Sequence, residues 1–593
     1  MATRRGRSVS LSSVDLAWYR MEDPTNLMMI TGIFIFDGPV DFERLRATLE
    51  VRFLQRFPRF RQRIVPRRSR LGRAYWEDDP NFDLSAHLHR IALPPPGDHS
   101  ALQDLVSDFM SMPLDLSKAP WQMHLIEGYE GRSALLVRLH HAVADGIALV
   151  QVLLSLTDTS PDAPWPTAEE PVRRPQGWNP LAPIVRPVRS VTRITRQAVE
   201  GSVRTTVRVI RDPEQLVDLA RTGTDIALTT GRLLLMAPDP RTPYKGKLGV
   251  AKRAAWSAPI PLDEIKLLGR AVGGTVNDVL MAAAAGAMRR YLIGRGAPVD
   301  TLNFRAVIPV NLRPIEKGLE LGNKFGLVFL SMPIDIEDPV DRLRELKRRM
   351  DDLKDSTMPV VAFGILTLIG MMPQRLQDVV VDIFGTKGTL VMTNVPGPRQ
   401  QLYFAGAAID RMMFWVPQSG RLGLGISILS YNNEVLVGVA SDYGLVPDPE
   451  TIVAAFHHEL EALKAEARQR LMDIAVKFNI PLAPEAYGPD LAPLVEATAE
   501  ARAAEGIAAD GAGPTQEAVD QPAAWTVPAD AQDLTQIKGI GPAYAQRLYA
   551  VGIKTFADLA AASPEALAAA VDVPDWRRPD FDHWIAQAQA LRR

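Results

Sequence analysis

Two adjacent histidines, His140 and His141, precede Asp145 and Gly146 in the run Arg138-Leu139-His140-His141-Ala142-Val143-Ala144-Asp145-Gly146. Three chemistries compete for these side chains. Both histidines could be satisfied core residues, as most lone histidines are. They could bind a metal, but neighbours at a strand end point to opposite faces and no ligand-spaced His or Glu follows, so they cannot easily grip one ion. In the third reading one imidazole faces a cleft as a general base while Asp145 fixes the loop or the ring. The residues around the motif predict how it is held. Ser133 to Leu139 is mostly apolar and predicts a strand; Gly146 to Leu154 predicts a buried helix. Asp145 then stands at the helix cap, and Gly146 permits a tight turn. Such a strand-turn-helix setting is what a base at the end of a strand requires.

His140 to Gly146 resembles the HHxxxDG active-site motif of the CoA-dependent acyltransferase superfamily and, within it, of the bacterial wax ester synthase/diacylglycerol acyltransferase family. The resemblance implies that His141, the second histidine, deprotonates an acceptor hydroxyl. It makes Asp145 mainly structural, commonly through a pair with an arginine, and His140 and Gly146 complete the motif. Other stretches are similar to the family in order: Phe57 to Arg63, Phe82 to His87, Thr393 to Pro398 and Gly425 to Asn432. Trp121 stands where the family has Pro-Leu-Trp, here preceded by Ala119 and Pro120. Trp121 and His124 suit core packing as well as function. Asn277 and Asp278 match a family Asn-Asp pair, and they suit a helix cap as well as a part in shaping the active centre. The likeness spans residues 8–465. It implies two chloramphenicol-acetyltransferase-like α/β sandwich halves, with a catalytic channel between them from which His141 is reachable on both sides.

An ester forms when a hydroxyl attacks an activated acyl group, and a base in hydrogen-bond reach contributes about 10²–10⁴-fold. A neutral imidazole suits this, and once protonated it can return the proton to the leaving thiolate of CoA. The chain has no cysteine and no Gly-x-Ser-x-Gly turn, which favours direct transfer over an acyl-enzyme. An oxyanion donor is required, and Asn277 is a candidate. The expected reaction moves a long-chain acyl group from acyl-CoA to diacylglycerol, to a long-chain alcohol, or to both. Acyl-CoA is a substrate and no cofactor or metal is expected. Two other readings stay open: a condensing acyltransferase with a carrier-protein donor, and a non-catalytic lipid-surface protein on the same fold.

At 593 residues the chain exceeds one core and predicts three or four domains. A net charge of −2 gives no global attraction to nucleic acid or membrane, so such affinity must be local. The absence of cysteine excludes disulfides and thiolate metal sites and fits a reducing cytoplasm. The basic N-terminus has no apolar run behind it, unlike a signal peptide. The longest apolar run, Val360 to Met372, lies between Pro359 and Pro373 and falls short of the roughly 20 residues of a span. It predicts a buried or interfacial helix.

Strands and helices mix without regular alternation, which predicts a mixed α/β (α+β) class. Residues 8–165 and 241–465 form the two halves. Residues 166–240 open with a Pro-rich linker and continue as a basic amphipathic segment, Arg186 to Arg208, suited either to a membrane or lipid-droplet surface or to the junction of the halves. Peripheral attachment to the inner membrane face is the localisation this implies. A second pair, His457-His458, lacks Asp-Gly and fits a solvated helix face. Residues 466–530, rich in Ala, Pro, Glu and Gly, predict a linker. Residues 531–593 resemble a helix-hairpin-helix module and form a small all-α unit. Its seven Lys/Arg balance seven Asp/Glu, which favours a protein partner over nucleic acid.

Overall fold

The computed structural model describes residues 9–66, 74–167, 233, 235–312, 321–354, 358–418, 420, 422–483, 486, 488, 490–505, 531–534, 537, 540, 542–571 and 581–591. The basic segment 186–208 and the two glycines of the tail's Gly-x-Gly turn, Gly539 and Gly541, fall outside this set. The chain divides into two units, residues 1–513 and 514–593.

The larger unit is built on two mixed sheets. Edge to edge, the first runs Tyr403–Phe404, Ala407–Trp415, Met29–Phe36, Arg132–His140, Trp121–Tyr129 and Leu88–Ala92. The second runs Phe325–Met332, Phe304–Asn311, Leu390–Pro396, Leu424–Tyr431, Glu434–Asp442 and Lys252–Trp256, with Ile260–Pro261 also paired to Glu434–Asp442. A small sheet of Val9–Ser10, Tyr75–Asp78 and Gln62–Val65 stands apart from both. Thus the mixed α/β class and the two lobes follow the sequence reading.

The halves differ from that reading in being discontinuous. Strand Ala407–Trp415 leaves the second half and pairs antiparallel with Met29–Phe36 of the first. Its return is tied by a reciprocal bridge, Asp158 N–H to Tyr403 O (2.7 Å) and Tyr403 N–H to Asp158 O (2.8 Å). The inserted strand packs on the second sheet at Gly438, where a Cβ would lie 2.7 Å from Trp415 Nε1 and 2.8 Å from Met413 Sδ. Only glycine admits that approach.

Helix His99–Ser111 of the first half covers the outer edge of strand Lys252–Trp256 in the second. Ser111 Oγ accepts from Lys252 N–H (2.8 Å) and Ser107 Oγ from Ala254 N–H (2.9 Å). Serine hydroxyls thereby satisfy edge amides that would otherwise invite another strand. Across the same contact, Arg253 pairs with Asp104 at 2.7 Å. Helix Ser13–Arg20, capped by Ser12 accepting from Asp15 N–H (3.1 Å), packs against helix Met358–Met371. A Cβ on Gly370 would sit 1.7 Å from Ser13 O, so the two helices meet backbone to backbone. The apolar run near 360–372 forms this second helix: Val361, Leu366 and Ile369 are buried while Leu368 and Met371 face outward. No single helix among the described residues is long and apolar enough to cross a membrane.

A further correction concerns residues 466–505. Helix Pro449–Lys477 runs through the boundary at 465, with Ala467 and Leu471 in the second core. Helix Ala492–Glu505 follows, and Leu491, Leu494 and Val495 join the same core. Alanine-rich composition signals helix as readily as linker, and sparse large apolar residues suffice when each one is buried. On the longer helix His457 is half-buried and His458 is exposed.

The smaller unit holds helices Pro542–Ala550, Phe556–Ala561, Pro564–Val571 and Phe581–Leu591 around Leu534, Ile537, Leu548, Leu559 and Trp584. Thr555 and Asp558 form a reciprocal capping box at its second helix. It is all-α, as its sequence suggests.

Candidate active site

Strand Arg132–His140 ends at the motif and helix Gly146–Leu154 begins after it. The strand is zipped between Met29–Phe36 and Trp121–Tyr129, which fixes the height at which the histidines emerge. Two residues before them, buried Arg138 donates to Phe109 O and Met112 O (2.8 Å each) and to the Gln122 side chain. Burial lowers its pKa to about 10. It stays charged near neutral pH and anchors the strand.

His140 and His141 take different environments. Ala142 N–H donates to His140 Nδ1 (3.0 Å), so that nitrogen is the acceptor and Nε2 carries the proton. Nε2 lies 3.4 Å from Glu22 Oε2. Glu22 also accepts from Met28 N–H (2.5 Å), and Met28 O accepts from His141 N–H (2.8 Å). Glu22 therefore ties down the loop that in turn holds the backbone of His141.

The His141 ring clusters with two aromatic side chains, Trp18 and Phe325, which also meet each other at 5.9 Å. It stacks on Trp18 with centroids 4.0 Å apart and an interplanar angle of 20°, and meets Phe325 at 5.7 Å. His141 is only 3% exposed. Its Nδ1 is buried outside hydrogen-bonding geometry to any group among the described residues. Burial drives its pKa down to about 3, and its own carbonyl and the Asn323 amide oppose the shift only in part. The ring is held as the neutral imidazole, the form a base needs.

Asp145 caps the helix. Its Oδ1 accepts from Ala148 N–H (2.9 Å) and its Oδ2 from Lys324 N–H (3.1 Å), so one carboxylate ties the motif loop to the second half. Beside it Ala144 pairs with Gly322. Gly146 departs from the expected tight turn: it is the first residue of the helix and has no positive φ. A Cβ there would make ordinary contacts, 3.4 Å from Val416 Cγ1 and 3.9 Å from Ile30 Cδ1.

The other sequence candidates have contacts of their own. Trp121 is 1% exposed in the first core, stacks on His87 at 4.7 Å and donates from Nε1 to Phe60 O (2.7 Å). Packing is the role this gives it. Neighbouring His124, lowered to about 3 by burial and by Arg138, packs on Phe109. Asp278 is the third residue of a capping box with Thr275 on helix Val276–Gly294, accepting from Thr275 N–H (2.8 Å) and Oγ1 (2.9 Å). Asn277 does not cap. Its Oδ1 accepts from Asn394 Nδ2 (2.7 Å) and its amide meets Met350 Sδ (3.7 Å), all within the second half.

Sequence reasoning missed Asp15, Trp18, Glu22, Asn323 and Phe325. Asp15 Oδ1 accepts from Asn323 N–H (3.2 Å) and Nδ2 (2.8 Å), and the same Nδ2 donates to His141 O (2.8 Å). Burial pushes the Asp15 carboxyl above its usual range, against the pull of Asn323, Ser12 and Arg59. One signal was available: Asp15 and Trp18 share a helix face at i, i+3. Among the described residues no cluster of three or more His, Asp or Glu could hold a metal ion.

Comparison with known proteins places the chain in a family. The wax ester synthase/diacylglycerol acyltransferase catalytic domain matches residues 11–280, and the WS/DGAT C-terminal domain matches residues 321–464. The RS2/RL21/YNQ2 HHH domain matches residues 534–592. A Mycobacterium tuberculosis protein named as a diacylglycerol O-acyltransferase is 30% identical over 473 residues, covering 76% of this chain and 89% of its own. A second from that organism, named tgs1, is 27% identical over 469 residues, covering 78% and 96%. The wax ester synthase/diacylglycerol acyltransferase of Marinobacter aquaeolei VT8 superposes with a TM-score of 0.56 at 22% identity, covering 77% of this chain and 99% of that one, a likeness of fold. With the motif at the meeting of two lobes and both family domains in order, the chain belongs to the wax ester synthase/diacylglycerol acyltransferase family and is an acyltransferase.

Proposed function

We propose that the protein transfers a long-chain acyl group from acyl-CoA to the hydroxyl of diacylglycerol, a long-chain alcohol, or both, with His141 as general base. The observation that carries this reading is the setting of His141: a buried, neutral imidazole at a strand end, walled by Trp18 from the first half and Phe325 from the second. A base must come within about 2.6–3.2 Å of the proton it takes. The hydroxyl therefore reaches the ring by parting the side chains that cover it. As the base takes the proton, the hydroxyl oxygen attacks the thioester carbonyl. The imidazolium then returns the proton to the thiolate as the carbon–sulfur bond breaks. No cofactor is needed for these steps.

The acceptors are nearly insoluble in water, so the enzyme is proposed to work at a membrane or lipid-droplet surface from the cytoplasmic side. The tail is proposed to contact a protein partner and to stand outside the chemistry. The test is CoA-thiol release with diacylglycerol and a panel of alcohols, comparing the wild-type protein with His141→Ala. The variant should stay folded and lose about 10²-fold or more in turnover. An active His141→Ala protein would refute the assignment, and thiol release only with a carrier-protein donor would favour a condensing enzyme.

A further inference from the structure

We propose that Asn323 is a positioning residue for the base, with Asp15 as its anchor. Both hydrogens of the Asn323 amide are committed, one to the Asp15 carboxylate (2.8 Å) and one to the main-chain oxygen of His141 (2.8 Å). Both neighbours are acceptors, so the orientation of the carboxamide is forced. The other main-chain group of His141, its N–H, is held by Met28 O (2.8 Å). The peptide groups flanking the base are thus gripped from both lobes, by Met28 of the first and Asn323 of the second.

The same two elements grip the ring. Asp15 and Trp18 stand on one face of helix Ser13–Arg20; Asn323 and Phe325 alternate along one side of the chain entering strand Phe325–Met332. Where Asp15 meets Asn323, Trp18 and Phe325 are brought against the imidazole from two directions. The Asp15 side chain also accepts from the Asn323 main-chain N–H (3.2 Å), so it holds both the backbone and the amide of that residue. Asp15 and Asn323 are both buried, so water does not compete for the bond. A displacement of about 1 Å in a reacting group can cost 10²-fold in rate, which is the sensitivity such a clamp serves.

The inference rests on His141 being the base, and the test separates the two claims. Thiol release is measured on the full chain with acyl-CoA and a short-chain soluble alcohol. Asn323→Asp replaces the shared donor by an acceptor facing two acceptors. It should lower kcat by about 10- to 100-fold while KM for acyl-CoA changes less than about threefold. The decisive variant is the exchange Asp15→Asn/Asn323→Asp. There the amide at 15 donates to the carboxylate at 323, restoring the bond between the lobes, while His141 O still lacks its donor. Thermal stability should recover and kcat should not. Recovery of kcat along with stability would overturn the proposal and leave Asn323 as a fastener of the two lobes. Should Asn323→Asp not fold, Asn323→Ser takes its place: a depressed kcat with KM held supports the proposal, and wild-type kcat overturns it. His141→Ala measured alongside shows whether a failure belongs to the base assignment instead.

Discussion

Replacing Asp145 separates a structural carboxylate from a chemical one. Its oxygens serve two amides, Ala148 N–H at the helix start and Lys324 N–H on the incoming chain of the second half. Asp145→Ala removes both. Loss of the cap costs about 1 kcal/mol, within about 0.5–2. The second amide, left without its acceptor in a part-buried site, costs about 1–3 kcal/mol more. These two bonds alone therefore predict a destabilisation of about 2–5 kcal/mol. Asp145→Asn keeps one oxygen for the cap and turns an amide toward Lys324 N–H, donor against donor, so of these two bonds the second is lost, at a cost of about 1–3 kcal/mol. The measurements are unfolding midpoints of the two variants beside CoA-thiol release at a temperature where both stay folded. Stability should fall in the order wild type, Asn, Ala, and Asp145→Asn should retain more activity than His141→Ala. A fully stable but inactive Asp145→Asn would refute the reasoning and assign the carboxylate a direct chemical part.

Burial holds the pKa of His141 near 3 instead of the ordinary 6.5, so the neutral base persists on the acid side and kcat/KM should lose no acid limb near 6.5. Trp18→Leu admits water to the ring, and the acid limb should move up toward 6.5; a wild-type limb already at 6.5 argues against the buried base. The same shift means that the unfolded chain binds the extra proton between the two values, so stability is fully present above about 6.5 and falls as pH drops toward 3. Truncation after Gly513 removes the separate C-terminal unit and should leave thiol release with soluble substrates intact. Truncation before helix Ala492–Glu505 removes Leu491, Leu494 and Val495 from the second core and should destabilise the enzyme, so the two cuts must differ. Arg→Glu changes at Arg189, Arg193, Arg196 and Arg204 together should weaken co-sedimentation with anionic vesicles, since each cation near such a surface is worth about 1 kcal/mol. Turnover of a soluble acceptor should change little, and unaltered vesicle binding would place membrane contact elsewhere.

What could be read from the sequence was what lies close along the chain. His140, His141 and Asp145 sit within one strand-turn-helix unit, so type and spacing were enough to place them. The Thr275–Asp278 capping box and the Ser12 cap are equally local. Nothing in the residues of strand Ala407–Trp415 says that it crosses to pair with Met29–Phe36. Pairing is a property of two segments, here nearly 400 positions apart. For the same reason the partners of His141 stayed hidden: Asn323 is separated from it by 182 positions and from Asp15 by 308. Periodicity could put Asp15 with Trp18 on a helix face, and Asn323 with Phe325 on a strand side, without showing that the two faces meet. That meeting brings aromatic rings from both lobes against the histidine at the end of the strand. The proposed chemistry rests on a short motif, whereas the surroundings of that motif are assembled from both lobes, so substitutions at Asp15 or Asn323 should reach His141 although neither belongs to the motif.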